Sequence, residues 1–173
     1  MAARRRVVIT GLGVATPIGI GMDAFWEGLL QQRCGIRRVE SFDPSGLPCQ
    51  VAGELPPFQL GDFIPKSYRK SVKVMSRDIT LAVVCAYHAV VDAKLNTKCI
   101  VERGEAPGPP NVDSTRFGAN IGAGLVCADL NELAGALSTA ADEQGQFDLR
   151  RWGTEGMSNL TPLWLLKFLP NML

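Results

Sequence analysis

Only one histidine, His88, stands among the 173 residues, so the imidazole clusters on which most zinc sites draw are missing. The five cysteines, Cys34, Cys49, Cys85, Cys99 and Cys127, include no Cys-x-x-Cys pair. They read as free and mostly buried thiols, and no metal site or cofactor is expected. Charge bias is missing too. Eighteen Lys and Arg against 17 Asp and Glu leave a formal net charge of +1, which gives no field to draw in nucleic acid or a membrane surface. No apolar run approaches the roughly 18 residues needed to cross a bilayer. Arg4-Arg5-Arg6 precedes too short an apolar stretch for a signal-peptide core. Internal repeats and low-complexity tracts are absent. A cytoplasmic protein is therefore expected, and with 46% apolar and 20% charged residues the composition is that of one globular domain.

What is present begins at Val7-Val8-Ile9-Thr10, four β-branched residues in a row that predict a buried strand. Gly11 and Gly13 follow, where the backbone turns, and the turn closes on Thr16-Pro17-Ile18-Gly19. A strand running into Gly-x-Gly also describes a dinucleotide-binding loop. That motif needs a third glycine opening a helix and an acidic residue about 20 positions on. Here the third slot holds Thr16 before Pro17, and Gln31, Gln32 and Arg33 occupy the later positions.

Further along, Asp23 is expected to cap a helix whose apolar stripe is Phe25, Trp26, Leu29 and Leu30. Gly35, Pro44, Gly46 and Pro48 mark a loop, and a short strand is expected near Gln50–Glu54. Lys66, Arg69, Lys70 and Lys73 read as a solvated helical face that could also meet an acidic partner. The longest helical pattern runs from Asp78 to Leu95, with small or apolar residues around much of its circumference. His88 lies in it at helical spacing from Cys85 and Asp92, which suggests a proton relay, while its apolar neighbours favour a structural role. Residues 96–113 read as an exposed loop, Phe117–Ile121 as a strand, Gly122-Ala123-Gly124 as a turn, and Cys127–Leu137 as a helix. Cys127, at that expected helix start, is a rival nucleophile because the helix dipole would lower its pKa. It lacks a partner base, and a small buried residue is the plainer reading. Iodoacetamide at neutral pH separates the two, since preferential alkylation of Cys127 marks a nucleophile.

Thr10-Gly11-Leu12-Gly13-Val14-Ala15-Thr16-Pro17-Ile18-Gly19 resembles the T-G-x-G-x-x-[ST]-P-x-G turn of the β-ketoacyl-acyl-carrier-protein synthases, and the match is complete. Similar pieces follow in family order: Phe25-Trp26 with Leu29-Leu30, Cys34-Gly35-Ile36, Phe42-Asp43-Pro44-Ser45, Ala52-Gly53-Glu54, Ser76-Arg77-Asp78 through Asp92-Ala93-Lys94-Leu95, and Arg116 through Leu125. The stretches 97–115 and 138–159 depart from the pattern.

The resemblance implies an α/β protein, the N-terminal half of a thiolase-like α/β/α/β/α sandwich, over residues 1–173 with a loop at 96–115. It implies decarboxylative Claisen condensation of acyl and malonyl thioesters in fatty acid or polyketide biosynthesis. In that family the nucleophilic cysteine and two catalytic histidines come later in the chain. No catalytic residue is therefore expected here, the chain alone is expected to be inactive, and it reads as truncated. Gly124 and Leu125 match the family segment that walls the acyl pocket. Pro162–Phe168 would lie near the subunit interface, where Trp164 and Lys167 depart from the pattern. Acyl carrier protein is the implied partner, with homodimer or heterodimer assembly, and no nucleic acid or membrane is implied. The alternative is a non-catalytic subunit like the chain-length factors, which pairs with a working synthase.

Overall fold

The structure is a computed structural model that describes residues 6–123 and 128–169. It divides into two compact units. Of the described residues, one contains 6–70 and Leu81–Ala119; the other contains Ser71–Thr80, 120–123 and 128–169.

In the first unit, β1 (Ala15–Thr16) and β2 (Gly19–Ile20) form an antiparallel hairpin around Pro17-Ile18. The Thr16 hydroxyl donates to the Gly19 carbonyl at 2.9 Å and closes the turn. Helix α1 (Met22–Leu30) starts from Gly21, whose φ of 83° lies in the left-handed region that favours glycine. Asp23 thus occupies the first helical turn rather than the cap. Hairpin β3 (Ile36–Arg38) and β4 (Val51–Gly53) follows, the second strand being the one expected near Gln50–Glu54. Its glycines sit on Pro17. A Cβ at Gly53 would lie 2.8 Å from Pro17 Cγ, and one at Gly35 would lie 2.6 Å from Pro17 Cβ.

Helix α2 (Arg77–Asp92) is the longest element, and its first four residues belong to the second unit. Segment 11–13 crosses it at backbone distance. A Cβ on Gly13 would collide with the Cys85 carbonyl oxygen and lie 2.6 Å from the Ala89 amide nitrogen; one on Gly11 would lie 2.6 Å from the Ala93 amide nitrogen. The Leu12 amide donates to Asp92 Oδ2 at 2.8 Å and fixes the crossing. These two glycines are therefore demanded by close approach to a helix. Leu60, Ile64, Val84 and Ile100 are the buried apolar residues of this unit.

Several expectations are corrected. Val7, Val8 and Ile9 are 93%, 68% and 82% exposed and, like Phe117–Ile121, pair with no strand among the described residues. Both described sheets are antiparallel and two-stranded, and neither segment joins them. Trp26, Leu29 and Leu30 are exposed, and α1 turns Gly28 inward against Ile18 instead. The span 96–115 is not structureless: Thr97 caps α3 (Lys98–Glu102), and Ile100 is buried. The basic stretch forms two 3₁₀ turns, Lys66–Tyr68 and Ser71–Val74, rather than one helix. Cys34 and Cys49 are exposed, while Cys85 and Cys99 are half-buried.

In the second unit, the Asp129 side chain caps α4 (Leu130–Thr139), and Asp148 caps α5 (Leu149–Thr154) by accepting from the amides of Arg150 and Arg151 at 2.7 and 3.0 Å. The 3₁₀ turn Gly156–Asn159 packs on α4, where Ala136 and Ala140 are fully buried. Helix α6 (Trp164–Phe168) spans five residues, and Lys167 pairs with Glu132.

Candidate functional site

The groups best able to do chemistry in the first unit gather on α2, α3 and the 60–69 segment. Thr97 Oγ1 accepts from the Ile100 amide, α3 runs one turn, and Gly104 at φ 75° stops it. This short helix delivers Arg103 to the interior side. Its Nε and Nη2 donate to Glu105 Oε1 at 2.9 and 2.6 Å, Nη1 donates to the Ile64 carbonyl at 3.0 Å, and the guanidinium carbon lies 5.3 Å from the Tyr87 ring centroid. The Tyr87 hydroxyl donates to Glu105 Oε2 at 2.9 Å. The Arg103 hydrogen bonds hold the Glu105 carboxyl below its ordinary value. Burial first, and then Glu105, push the Tyr87 phenol up.

His88 stands beside this cluster with its ring centroid 5.5 Å from Phe63 and 5.4 Å from Tyr87. Its ring also lies over Gly21, where a Cβ would come within 2.9 Å of Cε1. Nε2 is buried and has no hydrogen-bond partner among the described residues, and burial lowers the pKa of the ring. The helical spacing to Cys85 and Asp92 does not make a relay. Asp92 is held by the Leu12 amide, and burial raises the Cys85 thiol pKa and keeps it protonated. His88 is a packing residue. Its folded pKa lies below the unfolded one, so the unfolded chain takes the proton first, and stability is expected to fall as pH drops below about 6.5 and to level off below the folded value. Urea midpoints between about pH 8 and pH 5 read this out, and His88→Gln is expected to flatten that part of the profile.

Lys66 and Arg69 line a cleft of about 550 Å³ together with Ser67, Glu102 and Arg103. Of the expected basic face, Lys66 and Arg69 are thus brought together, while Lys73 belongs to the second unit. In that unit Lys73, Glu132 and Lys167 line a cleft of about 440 Å³. The Lys167 charge is met by Glu132, and its nitrogen lies 5.4 Å from the Phe168 ring centroid.

Among the described residues no group of three or more His, Cys, Asp or Glu could hold a metal ion, and no helix is long and apolar enough to cross a membrane. The expected pocket residues Gly124 and Leu125, and the rival nucleophile Cys127, lie outside the described residues. The Arg103–Glu105–Tyr87 cluster is the feature that sequence reasoning missed. Its signal was Thr97 as cap and Gly104 as stop, which together bracket one helical turn.

Residues 4–162 match the family model of the β-ketoacyl synthase N-terminal domain. The chain belongs to the β-ketoacyl synthase family. Among relatives of this family, 3-oxoacyl-[acyl-carrier-protein] synthase 2 of Synechocystis is 40% identical over 92 residues, which is 53% of this chain and 21% of that protein. The ketoacyl synthase alpha subunit of the tetracenomycin polyketide synthase of Streptomyces glaucescens is 33% identical over 125 residues, 72% of this chain and 26% of that protein. The 3-oxoacyl-[acyl-carrier-protein] synthase 2 of Staphylococcus aureus strain N315 is 33% identical over 136 residues, 78% and 29%. The solved ishigamide ketosynthase/chain length factor is 37% identical, covering 58% of this chain and 23% of that one, with a TM-score of 0.47. The chain thus spans about a quarter of the length of these relatives.

Proposed function

We propose that this chain is the N-terminal portion of a cytoplasmic β-ketoacyl-acyl-carrier-protein synthase with a thiolase-like α/β/α/β/α sandwich. The observation that carries this reading is the family match over residues 4–162. It is supported by the complete Thr10–Gly19 motif, whose glycines press on α2 and whose Pro17 seats Gly35 and Gly53. The reaction transfers an acyl group from a carrier-protein thioester to a cysteine thiolate and releases the carrier thiol. Loss of CO₂ from a malonyl thioester then leaves a carbanion that attacks the acyl carbonyl and expels the thiolate. Gly124 and Leu125 would wall the acyl pocket. Lys66 and Arg69 would meet the acidic carrier protein, and a dimer, homomeric or heteromeric, would complete the assembly.

The catalytic set of the family includes two histidines, and these 173 residues hold one. His88 is committed to packing against Phe63, Tyr87 and Gly21. The chain alone is therefore expected to give no condensation product. The test is to isolate the native protein from its source with an antibody raised against residues 1–173. Both it and the 173-residue chain are then assayed for 3-oxoacyl-thioester formation from acyl- and malonyl-carrier protein. Product from the native protein and none from the chain supports the reading. A native protein without activity that co-isolates with a working synthase would make it a chain-length-factor-like subunit, and turnover by the 173 residues alone would refute the catalytic assignment.

A further inference from the structure

We propose that the first unit carries a binding site for a small aromatic monocarboxylate between α2 and the segment that follows it. The apolar part is a cavity of about 200 Å³ whose walls include Phe63, Val83, Ala86, Tyr87 and Val90. A second cleft of about 380 Å³ adjoins it, and Tyr87 and Ile100 line both. The two together have the makeup of a small-molecule site, an apolar body next to a few polar groups.

The wall chemistry selects the ligand. Phe63 and Tyr87 meet edge to face, with centroids 5.3 Å apart and planes at 74°. His88 already packs on both rings, and a ligand ring in the cleft would add one more aromatic contact to that group. The second cleft is lined by two ionisable side chains of opposite sign, Lys94 and Glu105. Both Glu105 oxygens are occupied, Oε1 by Arg103 and Oε2 by the Tyr87 hydroxyl. Lys94 forms no ion pair among the described residues. Its backbone is fixed in the left-handed region at φ 55°, where Leu95 N donates to the Val90 carbonyl and closes the end of α2. Arg103 cancels Glu105, Lys94 is left over, and an anionic head group is favoured over a cationic one. This site is independent of the condensation reaction proposed above.

The probe is 3-phenylpropanoate, titrated into the 173-residue chain and followed by amide chemical shifts across Val83–Val90 and Lys94–Ile100. Saturable shifts with a Kd at or below about 1 mM are expected. Ala86 is exposed, so Ala86→Phe can fill the cavity from its mouth and is expected to abolish the shifts. Lys94→Glu is expected to weaken binding about tenfold and to remove the preference for the acid over neutral 3-phenylpropan-1-ol. Absence of saturable shifts at ten times that concentration overturns the proposal. So does equal affinity for acid and alcohol in the unsubstituted chain, or binding that Ala86→Phe leaves unchanged. If Ala86→Phe loses its native amide spectrum, Lys94→Glu with the acid and alcohol pair decides the question alone.

Discussion

Gly13→Ala is expected to destabilise the first unit by at least about 3 kcal/mol, beyond the usual range for an added methyl group in a packed interior. The new Cβ would meet the Cys85 carbonyl oxygen and lie 2.6 Å from the Ala89 amide nitrogen. Both are backbone atoms of α2, so no rotamer change can relieve the clash, and the whole segment must lift from the helix. Lifting it stretches the hydrogen bond from the Leu12 amide to Asp92 and exposes the face of α2 that Gly11 and Gly13 cover. Urea unfolding measures the loss. Gly46→Ala is the control, because nothing lies within 4 Å of a Cβ there, and its effect is expected to stay within about 0.5 kcal/mol. Equal stability of the two variants would show that the turn does not press on the helix.

Arg103→Ala is expected to cost about 2 kcal/mol, between the small worth of exposed ion pairs and the 3–5 kcal/mol lost when a buried pair is broken. The Arg103 side chain is 15% exposed and holds three acceptor contacts, two to Glu105 and one to the Ile64 carbonyl. Truncation leaves the carboxylate and the carbonyl without those donors and removes the cation from the Tyr87 ring. The pH dependence carries the signature. Arg103 lowers the Glu105 pKa in the folded chain, so the pair's stabilisation is present above the ordinary carboxylate pKa and is lost as pH falls through the lowered folded value. In Arg103→Ala that acid-side loss should shrink, and Glu105→Gln should reproduce it. Additive losses in the double variant would mean that the two side chains act separately.

The family, the Gly-rich turn, α2 and the β4 strand were legible because each rests on local pattern: β-branched runs, glycine and proline breaks, and 3.6-residue periodicity. Boundaries shifted where caps decided them. Gly21, with positive φ, starts α1 in place of Asp23, and Asp129 starts α4 after the expected Cys127. The strand at Val7–Thr10 has the right propensity, yet a strand exists only where a second backbone accepts its hydrogen bonds, and propensity does not supply that partner. The Arg103 cluster was hidden for a related reason. Its decisive bond joins residues 39 apart, Arg103 and Ile64, and no window of local sequence holds both.

Sequence by itself determined the family and the places of α1, α2, β4 and α4 along the chain, because these rest on contiguous motifs and local periodicity. It also determined that two histidines cannot come from these 173 residues, since the count is one. Tertiary structure decided why Gly11 and Gly13 must be glycine, which apolar residues are left exposed, and that His88 packs against Phe63, Tyr87 and Gly21. Each of these depends on which atoms of distant segments come within van der Waals reach, and burial and close approach are properties of that meeting rather than of any stretch of chain.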